Sequence, residues 1–258
     1  MLYFIYDNTF EGLLTCVFEA FNRREFPQRI VRTDSAPLLF TESFKVITDE
    51  VKAERVLNAL GKKISPSALR MLFVVFLSEQ DGIEIVIFRY IQKALTASKS
   101  IEMNFADADV LALSKIYKKV MREEEHVRQF VRFQKTADNI YFAVIEPVYN
   151  VLPLTAGFFK TRYADQQWIV YDTKRKYGLF YDLNTVETVS FDNLDISPVS
   201  GDVNPQKLDE SELHFQTLWK DYLKAITIRE RLNPKLQRQF MPVRFWKHLT
   251  ELKIENYT

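Results

Sequence analysis

The chain has 258 residues, with 35 Lys and Arg against 34 Asp and Glu, a net charge of +1, and 47% hydrophobic and 14% aromatic side chains. That length and composition provide one large domain or two small ones with ample core, and they exclude a disordered chain. The near-zero net charge excludes a global field for anionic partners, so any electrostatic preference has to be local. The single Cys16 excludes an internal disulfide, and its apolar helical setting predicts a buried thiol. The opening MLYFIYDNTF lacks a basic n-region and meets Asp7 early, and no run approaches ~18 apolar residues. Neither a signal peptide nor a membrane span is therefore expected, and the expected location is cytoplasmic.

Leu2 to Tyr6 reads as a short buried strand. Asn8, with Glu11 three residues on, offers a cap for a helix whose Phe10, Leu13, Leu14, Val17, Phe18 and Phe21 repeat at core spacing. Arg23, Arg24, Pro27 and Arg29 read as a polar connection, and Phe44 to Ile47 as a second strand beside the first. Thr48 caps the next helix, Ser65-Pro66 opens another, and Asp81-Gly82 breaks it. Ile83, Ile87, Ile91 and Leu95 carry a further helix. Asp107 starts one that ends in the charged MREEEHVR, read as a solvated face.

From Gln129 the hydrophobic period changes from 3.6 to 2. RQFVRFQKTADNIYFAVIEP reads as one hairpin and QQWIVYDTKRKYGLFYD as a second, with a helix from Leu152 to Tyr163 between them. Thr173 to Lys176 form the second tip, and Thr185 to Ser190 add an edge strand. Strands joined by short turns are antiparallel. Asn193 to Asp209 reads as an exposed loop, and Ser211 begins a long helix through Leu213, Phe215, Leu218, Trp219, Tyr222 and Ile226. The expected class is α+β, with three parts docked as one compact unit. These are a mainly helical part with a short N-terminal strand (1–127), an antiparallel ββαββ layer (128–192), and a loop with C-terminal helices (193–258).

Three stretches, YDNTFEGLLTCVFEAF, WIVYDTKRKYGLFYD and RLNPKLQRQFMPVRFWKHL, resemble a bacterial family labelled "probable DNA metabolism protein", a domain of unknown function. The resemblance runs nearly end to end. It implies association with a radical-SAM protein assigned to DNA repair, since members occur beside one and some are fused to a uracil-DNA glycosylase domain. It implies no catalytic residues. The chain ends soon after the third stretch, so separate partners are expected.

No two of the six glycines are spaced for a P-loop, a GxGxxG turn or a nucleophile elbow. One Cys cannot hold an iron–sulfur cluster, and His126, His214 and His248 lack metal-ligand spacing. No cofactor and no metal site is expected. Lys174, Arg175 and Lys176 place three cations at one turn, flanked by Trp168, Tyr171 and Tyr177, a pattern suited to phosphates and unstacked bases. Arg132 and Lys135, and in the tail Arg231, Lys235, Arg238, Arg244 and Lys247, would extend that surface. The alternative is ordinary solvation or ion pairing with the MREEEH run. Asp172, Glu146 and Asp182, at strand ends, are candidate metal-holding or acid–base carboxylates, or else turn caps. The expected function is a nucleic-acid-binding or adaptor subunit of a DNA repair or modification system. A metal-dependent nuclease or base-processing enzyme, and a protein-binding scaffold, are the alternatives.

Overall fold

β1 (Leu2–Tyr6) is the central strand of a sheet in which it pairs parallel with both β2 (Arg29–Arg32) and β3 (Glu42–Lys45). The structure is a computed structural model that describes residues 2–33, 42–191 and 204–252. The chain divides into two units, Met1–Met121 and Arg122–Thr258. Helices and two sheets are mixed, so the class is α+β, and among the described residues no helix is long and apolar enough to cross a membrane.

In the first unit α1 (Phe10–Arg23) returns the chain from β1 to the parallel β2, and it packs on α2 (Glu50–Gly61) and α4 (Ile83–Thr96). α3 (Pro66–Phe76) starts where expected, with Ser65 accepting from the Ala68 N–H. Phe4, Tyr6, Leu13, Leu14, Ile87 and Ile91 are fully buried and form its core. Arg29, expected in a polar connection, instead opens the strand Arg29–Arg32. Its RIVR pattern hides Ile30 inside while Arg32 reaches the buried Glu84, which also accepts from the Tyr6 hydroxyl.

The caps shift by one residue from those expected. Thr9, not Asn8, accepts from the Gly12 N–H, and Asn8 takes a left-handed φ of 66°. Asp49, not Thr48, caps α2. Thr48 and Thr9 instead both donate to Asp7, at 2.8 and 2.7 Å, so Asp7 ties the end of β1 to two helix starts.

α5 (Ala108–Phe130) runs two residues into the stretch expected to change period, because Gln129 and Phe130 continue a helix already formed. In the second unit the sheet order is β4 (Phe133–Lys135), β5 (Tyr141–Ile145), β6 (Trp168–Asp172), β7 (Tyr177–Tyr181) and β8 (Val186–Val189). Each hairpin is antiparallel, as is β7 with β8, but β5 and β6 run parallel. The layer is thus mixed and not wholly antiparallel. α6 (Leu152–Arg162) carries the chain back to the starting end of β5, and a crossover of that kind makes the next strand parallel. Residues 207–209 hydrogen-bond along the outer edge of β4, which covers it. α7 (Glu212–Ile226) and α8 (Pro234–Phe240) follow, with short 3-10 turns at Val243–His248 and Thr250–Leu252. Most of the loop expected from Asn193 lies outside the described residues.

A Cβ on Gly12 would stand 2.3 Å from Asp7 Oδ1, 2.7 Å from Thr48 Oγ1 and 2.9 Å from Thr9 Oγ1. All three are short side chains held by one another and cannot swing aside. Gly12→Ala is expected to cost about 1–3 kcal/mol by the overpacking it forces. Urea unfolding checks this, and an unchanged midpoint would show that the triad gives way.

Candidate functional site

The second hairpin's tip folds inward. Asp172, fully buried, accepts from the Lys174 N–H at 2.9 Å, the Arg175 N–H at 3.2 Å and Arg175 Nη1 at 2.8 Å. Arg175 also donates to the carbonyls of Pro147 and Val148, and Lys174 Nζ donates to that of Val148 at 3.1 Å. The turn closes with the Lys176 N–H on the Asp172 carbonyl and Lys176 at a φ of 58°. Burial pushes the Asp172 carboxyl up, and the Arg175 guanidinium opposes that push. The side chain of Arg175 is only 10% exposed, so of the three tip cations Lys174 and Lys176 are the ones that face solvent.

The tail reaches the same place. Glu123, buried near the end of α5, accepts from the Val148 N–H at 2.8 Å and also pairs with Arg244. Lys247 pairs with Glu146. Val148 therefore joins the tip to Glu123, and Glu123 in turn pairs with Arg244 of the tail. The MREEEHVR run is solvated only in part: Arg122, Glu125 and Arg128 are exposed, but Glu123 and Glu124 are 3% and 5% exposed. The alternative weighed for the tail cations, pairing with that run, describes Arg244.

Arg132 and Lys135 sit elsewhere in the unit. Arg132 makes a two-pronged pair with Glu251, and Lys135 pairs with Asp209 at 3.0 Å. Hydrogen bonds from Ser211, joined by Lys135, hold the Asp209 carboxyl down at about 2. Arg238 is exposed on α8. Trp168 and Tyr171, expected beside the tip as stacking platforms, are buried. Trp168 packs against Phe159 and Tyr181, and Tyr171 belongs to a cluster with Phe142 and Val144 on the other face. Neither offers a face to a base at the tip. Trp168 also stands at the far end of β6 from the tip, because its partner in the ladder is Tyr181.

Asp182 does not join the other two candidate carboxylates, whereas Glu146 follows Ile145, the ladder partner of Asp172. Asp182 follows Tyr181, so it lies five residues, roughly 17 Å, along the hairpin from Asp172. Its Oδ1 accepts from the N–H groups of Thr185 and Asn184, which lower its pKa, and it acts as a turn cap. Among the described residues no three His, Cys, Asp or Glu side chains gather to hold a metal ion.

What the unit leaves open is apolar. Phe215, Leu218, Trp219, Tyr222 and Ile226 form one stripe of α7, and they are 39–60% exposed. Their spacing of i, i+3, i+4, i+7 and i+11 is that of a core-facing helix. Leu232, Leu236 and Phe240 continue the exposed apolar run beyond it. The stripe is visible in the sequence, but the same periodicity marks a buried face and an uncovered one. A cavity of about 620 Å³ lies beside α7, and its lining includes Arg132, Lys135 and Trp168, three residues singled out from the sequence.

Two measurements follow from the tip and the tail. Arg175→Ala leaves the Asp172 carboxylate buried without its countercharge and is expected to cost about 3–5 kcal/mol in denaturant unfolding. Lys176→Ala, at an exposed position, is expected to change stability by no more than about 0.5 kcal/mol. Equal effects of the two would contradict the buried pair. His248 has both ring nitrogens buried without a partner among the described residues, and burial, then Lys247, lowers its pKa from 6.5 to about 4. The unfolded chain binds that proton first, so stability falls as pH drops from 6.5 towards 4. Urea midpoints across that range are expected to decline in the wild type and to decline less in His248→Gln.

No curated protein matches this chain. Among solved structures it is similar to a pGpG-specific phosphodiesterase, PggH, from Vibrio cholerae, with 12% identity over 70% of this chain and 81% of that one. The TM-score is 0.28, too low for the likeness to carry an argument. Residues 81–251 match the profile of a domain of unknown function, DUF4130. The chain belongs to the DUF4130 family.

Proposed function

We propose that this protein is an adaptor subunit of a DNA repair or modification system that docks its radical-SAM partner through the apolar stripe of α7. The observation that carries the reading is the exposure of Phe215, Leu218, Trp219, Tyr222 and Ile226 on one helix face. Large apolar side chains carry roughly 150–250 Å² at the aromatic end of the range, so the half left bare on five of them sums to about 400–500 Å². A patch of that size is at the upper end of what monomers expose, and such patches mark interaction sites. Trp and Tyr at its centre are the residue types that anchor interfaces. The DNA repair setting and the identity of the partner come from the resemblance of the three sequence stretches.

Direct phosphate contact at the hairpin tip has less support. Arg132, Lys135, Arg175, Arg244 and Lys247 each already face a carboxylate. An Arg or Lys would have to leave that partner to meet a phosphate, and for Arg175 this would strand a buried charge.

Co-purification of the full chain with the radical-SAM partner, after nuclease treatment and at micromolar concentration, tests the reading. Trp219→Ser with Tyr222→Ser is expected to weaken the complex about thirtyfold or more, with an unchanged melting curve. Lys174→Ala with Lys176→Ala is expected to leave it intact. A complex that needs DNA, or one indifferent to the α7 pair, would sink the adaptor assignment.

A further inference from the structure

The apolar stripe of α7 has a charged border. A groove of about 730 Å³ runs beside it and shares Trp219 with it, and Leu223, Leu232, Met241 and Leu252 supply the rest of its apolar lining. Trp219 is 39% and Leu232 63% exposed, so the groove is open to solvent. On α7 the positions that meet it are Trp219, Lys220, Leu223, Lys224 and Thr227. At 3.6 residues per turn their centre lies roughly 100° round the helix from the centre of the stripe.

The charges in the groove wall do not balance. Its cations are Arg132, Lys220, Lys224 and Arg229, and its acid is Glu251, which Arg132 already holds. Arg229 is exposed and has no ion-pair partner among the described residues. Lys224 meets Asp221 at 3.8 Å, but the two side chains are 79% and 65% exposed, so water competes for both. Lys224 and Arg229 thus keep most of their charge available at the edge of an apolar surface.

We infer that the partner segment that docks on α7 is acidic as well as apolar, laying apolar side chains along stripe and groove and carboxylates against Lys224 and Arg229. This rests on the docking function proposed above and adds the chemistry of the partner. Amphipathic segments seat apolar anchors in grooves of this kind. Burial of apolar surface supplies the affinity, while charges at the border steer the encounter, fix the register and reject basic partners. A second copy of this chain would bring the same cations to the border, and like charges repel.

The test is the association rate of the nuclease-treated full chain with the proposed radical-SAM partner, measured at low and high salt. Lys224→Glu with Arg229→Glu is expected to lower that rate about tenfold at low salt, with the dissociation rate changed less than about threefold. Both positions are exposed, so the melting curve is expected to stay where it is. Raising the salt is expected to slow association of the wild type and to speed that of the reversed variant, because it screens attraction in one and repulsion in the other. The same reversal at the hairpin tip, Lys174→Glu with Lys176→Glu, is expected to change the rate less than about threefold. Trp219→Ser with Tyr222→Ser distinguishes the two levels of the proposal. If that pair abolishes the complex while charge reversal and salt leave association untouched, docking on α7 stands and the acidic segment is overturned. If neither pair has an effect, both are overturned. Faster association after reversal would assign the groove to a basic segment, and a complex lost on nuclease treatment would assign it to phosphate. Assembly of the chain only with itself would assign it to a second copy, and each of these three results overturns the acidic segment.

Discussion

A carboxylate taken out of water has to be given donors and a countercharge by the protein, and the second unit is arranged around that requirement. Asp172 receives two backbone N–H groups and Arg175. Glu123 receives the Val148 N–H and Arg244, and Glu212 receives the Lys135 N–H and Gln216. Each of these carboxylates fastens one element to another: the hairpin tip to itself, α5 to the loop after β5 and to the tail, and α7 to β4. Arg175 and Lys174 then hold the Val148 carbonyl from the other side. Hairpin tip, crossover loop and tail are joined through two residues, Val148 and Glu123.

The same requirement decides which surfaces remain for function. The basic residues that looked like a phosphate-binding array are mostly structural partners, and what is left uncovered is hydrocarbon and aromatic. That leaves the α7 stripe as the surface proposed for a protein partner. That reading rests on desolvation of apolar surface more than on net charge, in keeping with a chain whose formal charge is +1.

Local signals in the sequence were legible where one element decides its own geometry. The bounds of β6 and β7, the tip at Thr173–Lys176, the Ser65-Pro66 start of α3 and the Ser211 start of α7 all follow from short-range patterning. Ion-pair partners were not legible, because Arg132 meets Glu251 119 positions away, Lys247 meets Glu146 101 away, and Arg244 meets Glu123 121 away. Nor was the burial of Glu123 and Glu124, since a run of Glu on a helix looks solvated until a cation from the tail arrives. β2 was missed because two apolar residues between arginines make too short a pattern. Trp168 was identified as a residue of interest, but its complete burial against Phe159 and Tyr181 depends on how α6 packs on the sheet.

Amide hydrogen exchange of the full chain, alone and with the proposed radical-SAM partner, probes most directly whether uncovered apolar surface, and not charge, is the working surface. The account predicts slowed exchange across Glu212–Ile226 on complex formation, with Thr173–Lys176 unchanged. Slowed exchange at the hairpin tip while α7 stays as it was would contradict it.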